Sequence, residues 1–331
     1  MDNFNSADLK TILHSKRANM YYLEHCRVMQ KDGRVLYLTE GKKENLYYNI
    51  PIANTTVILL GTGTSITQAA MRMLAQAGVL VGFSGGGGTP LFMANEQEQP
   101  IEWLTPQSEY RPTEYLQGWL SFWFDDEKRL QAAKHIQQAR IQFIEQVWAK
   151  DRDLKAEGFT TKDESIQSAL VTFHQRTEAA EKPADLLLTE AQLTKRLYKF
   201  AANNTNMEGF TRQHQTAQFG TDKANDFLNH GNYLAYGLAA SCLWVLGIPH
   251  GFAVMHGKSR RGALVFDIAD LVKDAIVLPW AFICAKENAS EQEFRQQILQ
   301  VFTDHKALDF MFDTVKSMAL QEVSIQGRQD S

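Results

Sequence analysis

The apolar positions of this chain change period about a third of the way along. Up to roughly residue 100 they sit in short blocks, and beyond Pro112 they recur at helical spacing. In "NMYYLEHCRVMQ", "KDG" and "RVLYLTEG" the β-branched and aromatic residues flank a turn, which predicts a hairpin. "TTVILLG" (Thr55–Gly61) fits a short buried strand, "SITQAAMRMLAQAG" a helix ending at Gly78, and "VLVGFSGGGG" a strand with a flexible exit. "PTEYLQGWLSFWFDDEKRLQAAKHIQQARIQFIEQVWAK" then holds helical spacing for about ten turns, with a proline near its start. The charged "DRDLKAEGFTTKDES" turns the chain. Further helices fit "ADLLLTEAQLTKRLYKFAA", "DKANDFLNHGNYLAYGLAASCLWVLG", "DIADLVKDAIVLPWAFICA" and "EQEFRQQILQVFTDH", and the tail "SIQGRQDS" should fray. The expected fold class is α+β: a small β-rich N-terminal domain over residues 1–105, a boundary near 100–112, and a larger all-α domain over 112–331.

Composition narrows this picture without redrawing it. A chain of 331 residues has room for two domains, and 44% hydrophobic with 22% charged residues is globular rather than disordered. Cys26, Cys242 and Cys284 are odd in number and scattered, which gives neither a disulfide framework nor zinc spacing. With a polar start, "MDNFNSADLK", that predicts a cytoplasmic protein. No Asp, Glu, Lys or Arg occurs from Phe227 to Gly257, but Asn229, His230, Asn232 and "GIPHG" interrupt the run. It reads as a buried helix and a turn, not a membrane span. A net charge of −4 draws no nucleic acid by itself. Between Glu190 and Lys273, however, nine Lys/Arg stand against six Asp/Glu. "LLGTGTSITQAA" mimics a phosphate loop but lacks its lysine, and Ile66 occupies the third glycine position. A tight turn explains it better.

The unusual chemistry lies in "HGKSRRGALVFDIADLVKD" (His256–Asp274), where Asp267 and Asp270 sit in apolar sequence. Unpartnered buried carboxylates cost several kcal/mol. Three residues apart on a helix, the two acids share a face, and a divalent cation would make that placement favourable. His256 lies just upstream, and Glu190 in "LLLTEAQLTKRLYKF" offers a third acid. Oxygen ligands with one imidazole suit Mg²⁺ or Mn²⁺. The same spacing also fits a helix cap at Asp267, dipole compensation at Asp270 and a core histidine at 256. Spacing alone does not choose.

From "DKANDFLNHGNYLAYGLAASCLWVLGIPHGFAVMHG" through "ALVFDIADLVKDAIVLP" the chain resembles the CRISPR-associated integrase family, the larger, metal-dependent subunit of the spacer-adaptation complex. That family shows D-x-x-N, a long apolar helix, G-x-x-P or a variant, a histidine, then "DIAD". Upstream it has a glutamate followed by an R-x-x-Y-like element, here Glu190 with "KRLYKF". "IPIANTTVILLGTGTSITQAAMRMLAQAGVLVGFSGGGGTP" is similar to the family's β-domain, and the likeness is strongest to the type I-F subgroup.

The resemblance implies that Glu190, His256 and Asp270 bind the metal, with Asp267 a supporting acid; His250 is the alternative imidazole. It implies integration of captured double-stranded DNA by transesterification, with endonuclease activity at the same site. It also implies a homodimer, with the N-terminal domain dimerising, and a small ferredoxin-like partner fused to the helicase-nuclease in I-F systems. Lys258, Arg260, Arg261, Arg196 and Lys199 are candidate phosphate contacts, and "NNTNMEGFTRQHQTAQFG" a segment that orders on DNA. A stand-alone metal nuclease and a non-catalytic DNA-binding scaffold are the competing classes.

Overall fold

The computed structural model describes residues 19–39, 45–84, 102–104, 113–212, 223–257 and 262–326. The chain forms two compact units, Met1–Arg111 and Pro112–Ser331.

In the first unit β1 (Asn19–Leu23), β5 (Thr55–Leu60), β7 (Leu80–Phe83) and β8 (Glu102–Leu104) make one sheet, in the order β1-β5-β7-β8. β5 runs parallel between β1 and β7, and all six of its residues are buried. A strand covered on both faces needs no polar alternation, hence "TTVILL". The second sheet has the order β4-β3-β2-β6, from β2 (Arg27–Lys31), β3 (Arg34–Thr39), β4 (Leu46–Ile50) and β6 (Ser65–Ile66). Lys31 pairs with Arg34 across Asp32 and Gly33, whose φ values of 51° and 72° suit a tight two-residue turn. The predicted hairpin is therefore present but narrower than its apolar pattern. "NMYYL" leaves it at His25 (φ 46°) and joins the other sheet.

α1 (Gln68–Gln76) starts later than its pattern, because Ser65–Ile66 pairs with β2 and Thr67 Oγ1 caps the Ala70 N–H at 3.3 Å. It ends at Gly78 (φ 71°), where the Val79 N–H donates to the Leu74 carbonyl at 2.9 Å. In the glycine turn after β5, a Cβ on Gly61 would lie 2.4 Å from the Tyr22 hydroxyl oxygen, and one on Gly63 2.5 Å from His25 Nδ1. Those glycines admit neighbouring side chains. Val28, Val35, Ile50, Ile58, Leu74 and Val81 fill the core of this unit.

In the second unit the ten-turn pattern is two helices. The Asp125 carboxylate caps the N–H groups of Glu127 and Lys128 (2.9 and 3.0 Å) and separates α2 (Glu114–Trp123) from α3 (Asp126–Lys150). α4 (Arg152–Ala156), α5 (Glu164–Ala179), α6 (Pro183–Asn204) and α7 (Lys223–Leu246) follow, then α8 (Ala263–Val272), α9 (Leu278–Lys286), α10 (Glu291–Asp304) and α11 (Ala307–Gln326). α5 and α11 occupy stretches to which the apolar pattern assigned no element.

A π-helical turn, Lys273–Val277, joins α8 to α9. Pro279 has no N–H for the Ala275 carbonyl four residues earlier, and the Trp148 indole donates to that carbonyl instead at 3.0 Å. Among the described residues no helix is long and apolar enough to cross a membrane.

Candidate metal centre

α8 begins at Ala263, so Asp267 and Asp270 stand in its second and third turns and neither caps it. Both are fully buried. Asp267 is satisfied by the chain approaching α8: Oδ2 accepts the N–H groups of Val254 and Met255 (2.8 and 3.2 Å), and Oδ1 accepts that of His256 (3.1 Å). Oδ1 also meets His256 Nδ1 at 2.6 Å. An ionised Asp267 accepts the proton of Nδ1, which leaves the Nε2 lone pair for a ligand. Asp267 thus holds the histidine and its loop. Tryptophans on α2 steady the same loop, with Trp119 Nε1 donating to the Phe252 carbonyl (3.1 Å) and Trp123 Nε1 to that of Ala253 (2.8 Å).

Glu190 lies in the third turn of α6. The ligand atoms of Glu190, His256 and Asp270 fall within 4.8 Å of one another. Asp270 Oδ1 forms an ion pair with Lys273, and Oδ2 is buried with no hydrogen-bond partner among the described residues. Glu190 and His256 keep 17% and 25% of their side chains exposed, so the cluster opens on their side.

Arg140 closes the back. Its buried guanidinium reaches Glu190 Oε1 from Nη1 (3.2 Å), Asp274 Oδ2 from Nε (2.8 Å) and Thr194 Oγ1 from Nη2 (3.3 Å). Asp267, Asp270, Asp274 and Glu190, when ionised, carry four negative charges against the two positive charges of Arg140 and Lys273. One divalent ion would make up the remaining deficit, and the unpartnered Asp270 Oδ2 is a ready donor. The residues present fit such an ion.

The protonation equilibria reflect this crowding. Burial first, then the charge of Asp270, push the Glu190 carboxyl above its ordinary value, against Arg140, Lys273 and His256. Burial also opposes charge on Asp270, but Lys273, Arg140 and His256 outweigh it and hold that carboxyl below its usual range. For His256 burial favours the neutral ring. The Asp267 hydrogen bond and the charges of Asp270, Asp267 and Glu190 overcome that and raise its pKa. Two carboxylates sharing a small volume divide in this way.

The other candidates lie elsewhere. His250 is outside the cluster; its carbonyl accepts the Leu264 N–H at 3.0 Å, and burial lowers its pKa. Arg196 and Lys199 are exposed on α6, with Arg196 beside Arg176 of α5. Nine residues beyond Glu190, Lys199 points about 180° away from it. Lys258, Arg260 and Arg261 lie outside the described residues, as do residues 213–220 of the segment expected to order on DNA.

Sequence reasoning missed Arg140, Asp274 and the pairing of Lys273. The first two had a signal. Arg140 falls on the apolar stripe Ile136, Phe143, Ile144 and Val147, and Asp274 continues the Asp267, Asp270 spacing.

Residues 20–314 match the family model described as CRISPR associated protein Cas1. A CRISPR-associated endonuclease Cas1 of Pectobacterium atrosepticum is 58% identical over 320 residues, 96% of this chain and 98% of its own. One from Pseudomonas aeruginosa is 58% identical over 319 residues, with 96% and 98% covered. Among solved structures, a casposase bound to integration product has a TM-score of 0.66 at 14% identity over 93% of this chain and 91% of its own. A TtCas1–DNA complex has 0.61 at 19%, with 91% of each chain covered. A partial Cas6-RT-Cas1–Cas2 complex has 0.57 at 13%, with 94% and 96% covered. At such identities the structures share the fold alone. The family match and the two relatives above 50% identity say more: this chain belongs to the CRISPR-associated Cas1 family.

Proposed function

We propose that the protein is a metal-dependent integrase and endonuclease of CRISPR adaptation, which joins captured foreign DNA to the repeat array. The observation that carries this reading is the convergence of Glu190, His256 and Asp270 within 4.8 Å in a chain of the Cas1 family. Two carboxylates and an imidazole would hold Mg²⁺ or Mn²⁺. When bound, such an ion supplies Lewis-acid stabilisation of charge developing on a phosphodiester.

Integration is a transesterification. The 3′-hydroxyl oxygen of the captured strand bonds to phosphorus in the repeat, and the bond from that phosphorus to its 3′-oxygen breaks. The proton lost by the attacking hydroxyl is balanced by one gained at the leaving oxygen. One phosphodiester replaces another, so no nucleotide is consumed; with water as nucleophile the exchange becomes hydrolysis. The chain's own residues prepare this step. Asp267 fixes the His256 tautomer, Arg140 orients Glu190, and the exposed edges of Glu190 and His256 face the DNA. Lys258, Arg260 and Arg261 hold phosphates flanking the reacting bond, and Arg196 and Lys199, on other faces of α6, hold phosphates farther along the duplex.

The remaining parts of the reading are a type I-F-like, cytoplasmic homodimer, with residues 1–105 dimerising and 112–331 catalytic, working with double-stranded DNA and a small ferredoxin-like partner fused to a helicase-nuclease. Cas1–DNA and Cas1–Cas2 complexes among the structural neighbours support the DNA and the partner.

A strand-transfer assay with Mn²⁺ tests the whole. Asp270→Ala should lower product by roughly 10²–10³-fold while the far-UV spectrum stays native. Blocking the DNA 3′-ends should stop integration and leave hydrolysis. If unblocked DNA is cut but never joined, the protein is a stand-alone nuclease. If the wild type neither cuts nor joins DNA with Mn²⁺ and Asp270→Ala changes nothing, it is a scaffold.

A further inference from the structure

Two cations sit behind the candidate metal ligands, and they are held differently. Arg140 is buried and tied at once to Glu190, Asp274 and Thr194. Among the described residues Lys273 forms an ion pair with Asp270 alone; it keeps 18% of its side chain exposed and has its Nζ 5.3 Å from the centre of the Tyr236 ring. That half-buried ring, packed on Phe266 at 4.8 Å, lies beside the ammonium while it pairs with Asp270 and keeps an attractive face next to it when the pair opens.

Asp270 explains why the lysine is there. Its carboxylate is fully buried and, among the described residues, Oδ2 has no hydrogen-bond partner, so the Lys273 charge, ahead of those of Arg140 and His256, is what makes an ionised Asp270 tolerable. An ion bound at Oδ2 would lie a few ångströms from that ammonium. At an effective dielectric of about 20, repulsion between a double and a single positive charge at that range exceeds the 1.4 kcal/mol that a tenfold change in affinity represents.

We propose that Lys273 is a built-in counter-ion of Asp270 that sets metal affinity: it weakens divalent-ion binding to the free protein and, released along Tyr236, joins a phosphate of bound DNA once the ion loads. Ion and DNA then strengthen each other's binding, as reciprocal linkage requires. The inference rests on reading Glu190, His256 and Asp270 as the metal ligands.

Mn²⁺ binding, followed by the electron paramagnetic resonance of the free ion, provides a readout independent of catalysis. Without DNA, Lys273→Met should bind Mn²⁺ at least tenfold more tightly than wild type, and Lys273→Arg should stay within about threefold of it. Adding a short DNA duplex should tighten Mn²⁺ binding to wild type, and do so less in Lys273→Met. If Lys273→Met does not fold, Lys273→Gln, which keeps a hydrogen-bonding group, carries the same comparison.

Unchanged or weaker Mn²⁺ binding in the neutral variants would overturn the proposal and make Lys273 a positioning residue. Asp270→Ala separates this from failure of the underlying reading. If Asp270→Ala still binds Mn²⁺ like wild type, the metal site itself is misassigned.

Discussion

The two units of this chain bury different things. Among the described residues of the β-rich unit, the buried polar side chains are Thr55 and Thr56, and no Asp, Glu, Lys or Arg is buried. The helical unit buries Lys134, Arg140, Asp267, Asp270 and Asp274. Lys134 is met by the Glu178 carbonyl at 2.6 Å. The other four gather in one seam between α3, α8 and the π turn. A buried ion pair is often no more stable than apolar residues of the same volume, so such a seam adds little to stability. Hydrophobic burial accounts for the first unit, whereas the seam of the second makes sense through what it can bind.

Near-isosteric substitutions in each unit are the strongest way to break that comparison. Asp274→Asn should lower the unfolding free energy by about 3 kcal/mol, because Arg140 stays buried with only Glu190 left to balance its charge. It should also weaken Mn²⁺ binding, since Arg140 holds Glu190. Ile58→Val, in the core of the β unit, should cost only about 0.5–1.5 kcal/mol and leave Mn²⁺ affinity unchanged. Equilibrium denaturation with a Mn²⁺ titration measures both. Equal costs, or equal effects on the ion, would erase the distinction.

Parts of the β unit were legible in sequence for the same reason. β5 could be read from "TTVILL" and the hairpin from Asp32–Gly33, because burial and turn chemistry are local. In the helical unit the local signal misled at Asp125: the apolar spacing runs through it, and only its capping bonds break the helix. Glu190, His256 and Asp270 were marked by residue type and by family likeness, not by spacing, which cannot bring residues 80 apart together. The work of Asp267 was illegible, because its donors come from backbone 11 to 13 residues upstream. Arg140 reaches Asp274 across 134 residues, and a single arginine in an apolar stripe names no partner.

A third kind of charge sharpens the contrast, the carboxylates at helix starts. Asp163 caps α5, with Oδ1 accepting the N–H groups of Ser165 (2.9 Å) and Ile166 (3.3 Å). The Ser165 hydroxyl first, and then those N–H groups, hold its carboxyl below the usual aspartate range, against a little burial. A group with a lowered folded-state pKa stabilises the fold above its unfolded value, about 3.9, and that contribution is lost as pH falls through the folded value. Asn caps as well as Asp but cannot ionise. Asp163→Asn should therefore cost only about 0.3 kcal/mol at pH 7, where solvent screens the charge, and the difference should vanish near pH 2. Thermal melts of both proteins from pH 7 to pH 2 test this. A gap persisting at pH 2 would mean that the Asp163 charge is not what stabilises the helix start, and a gap rivalling Asp274→Asn would mean that burial is not what sets the seam apart.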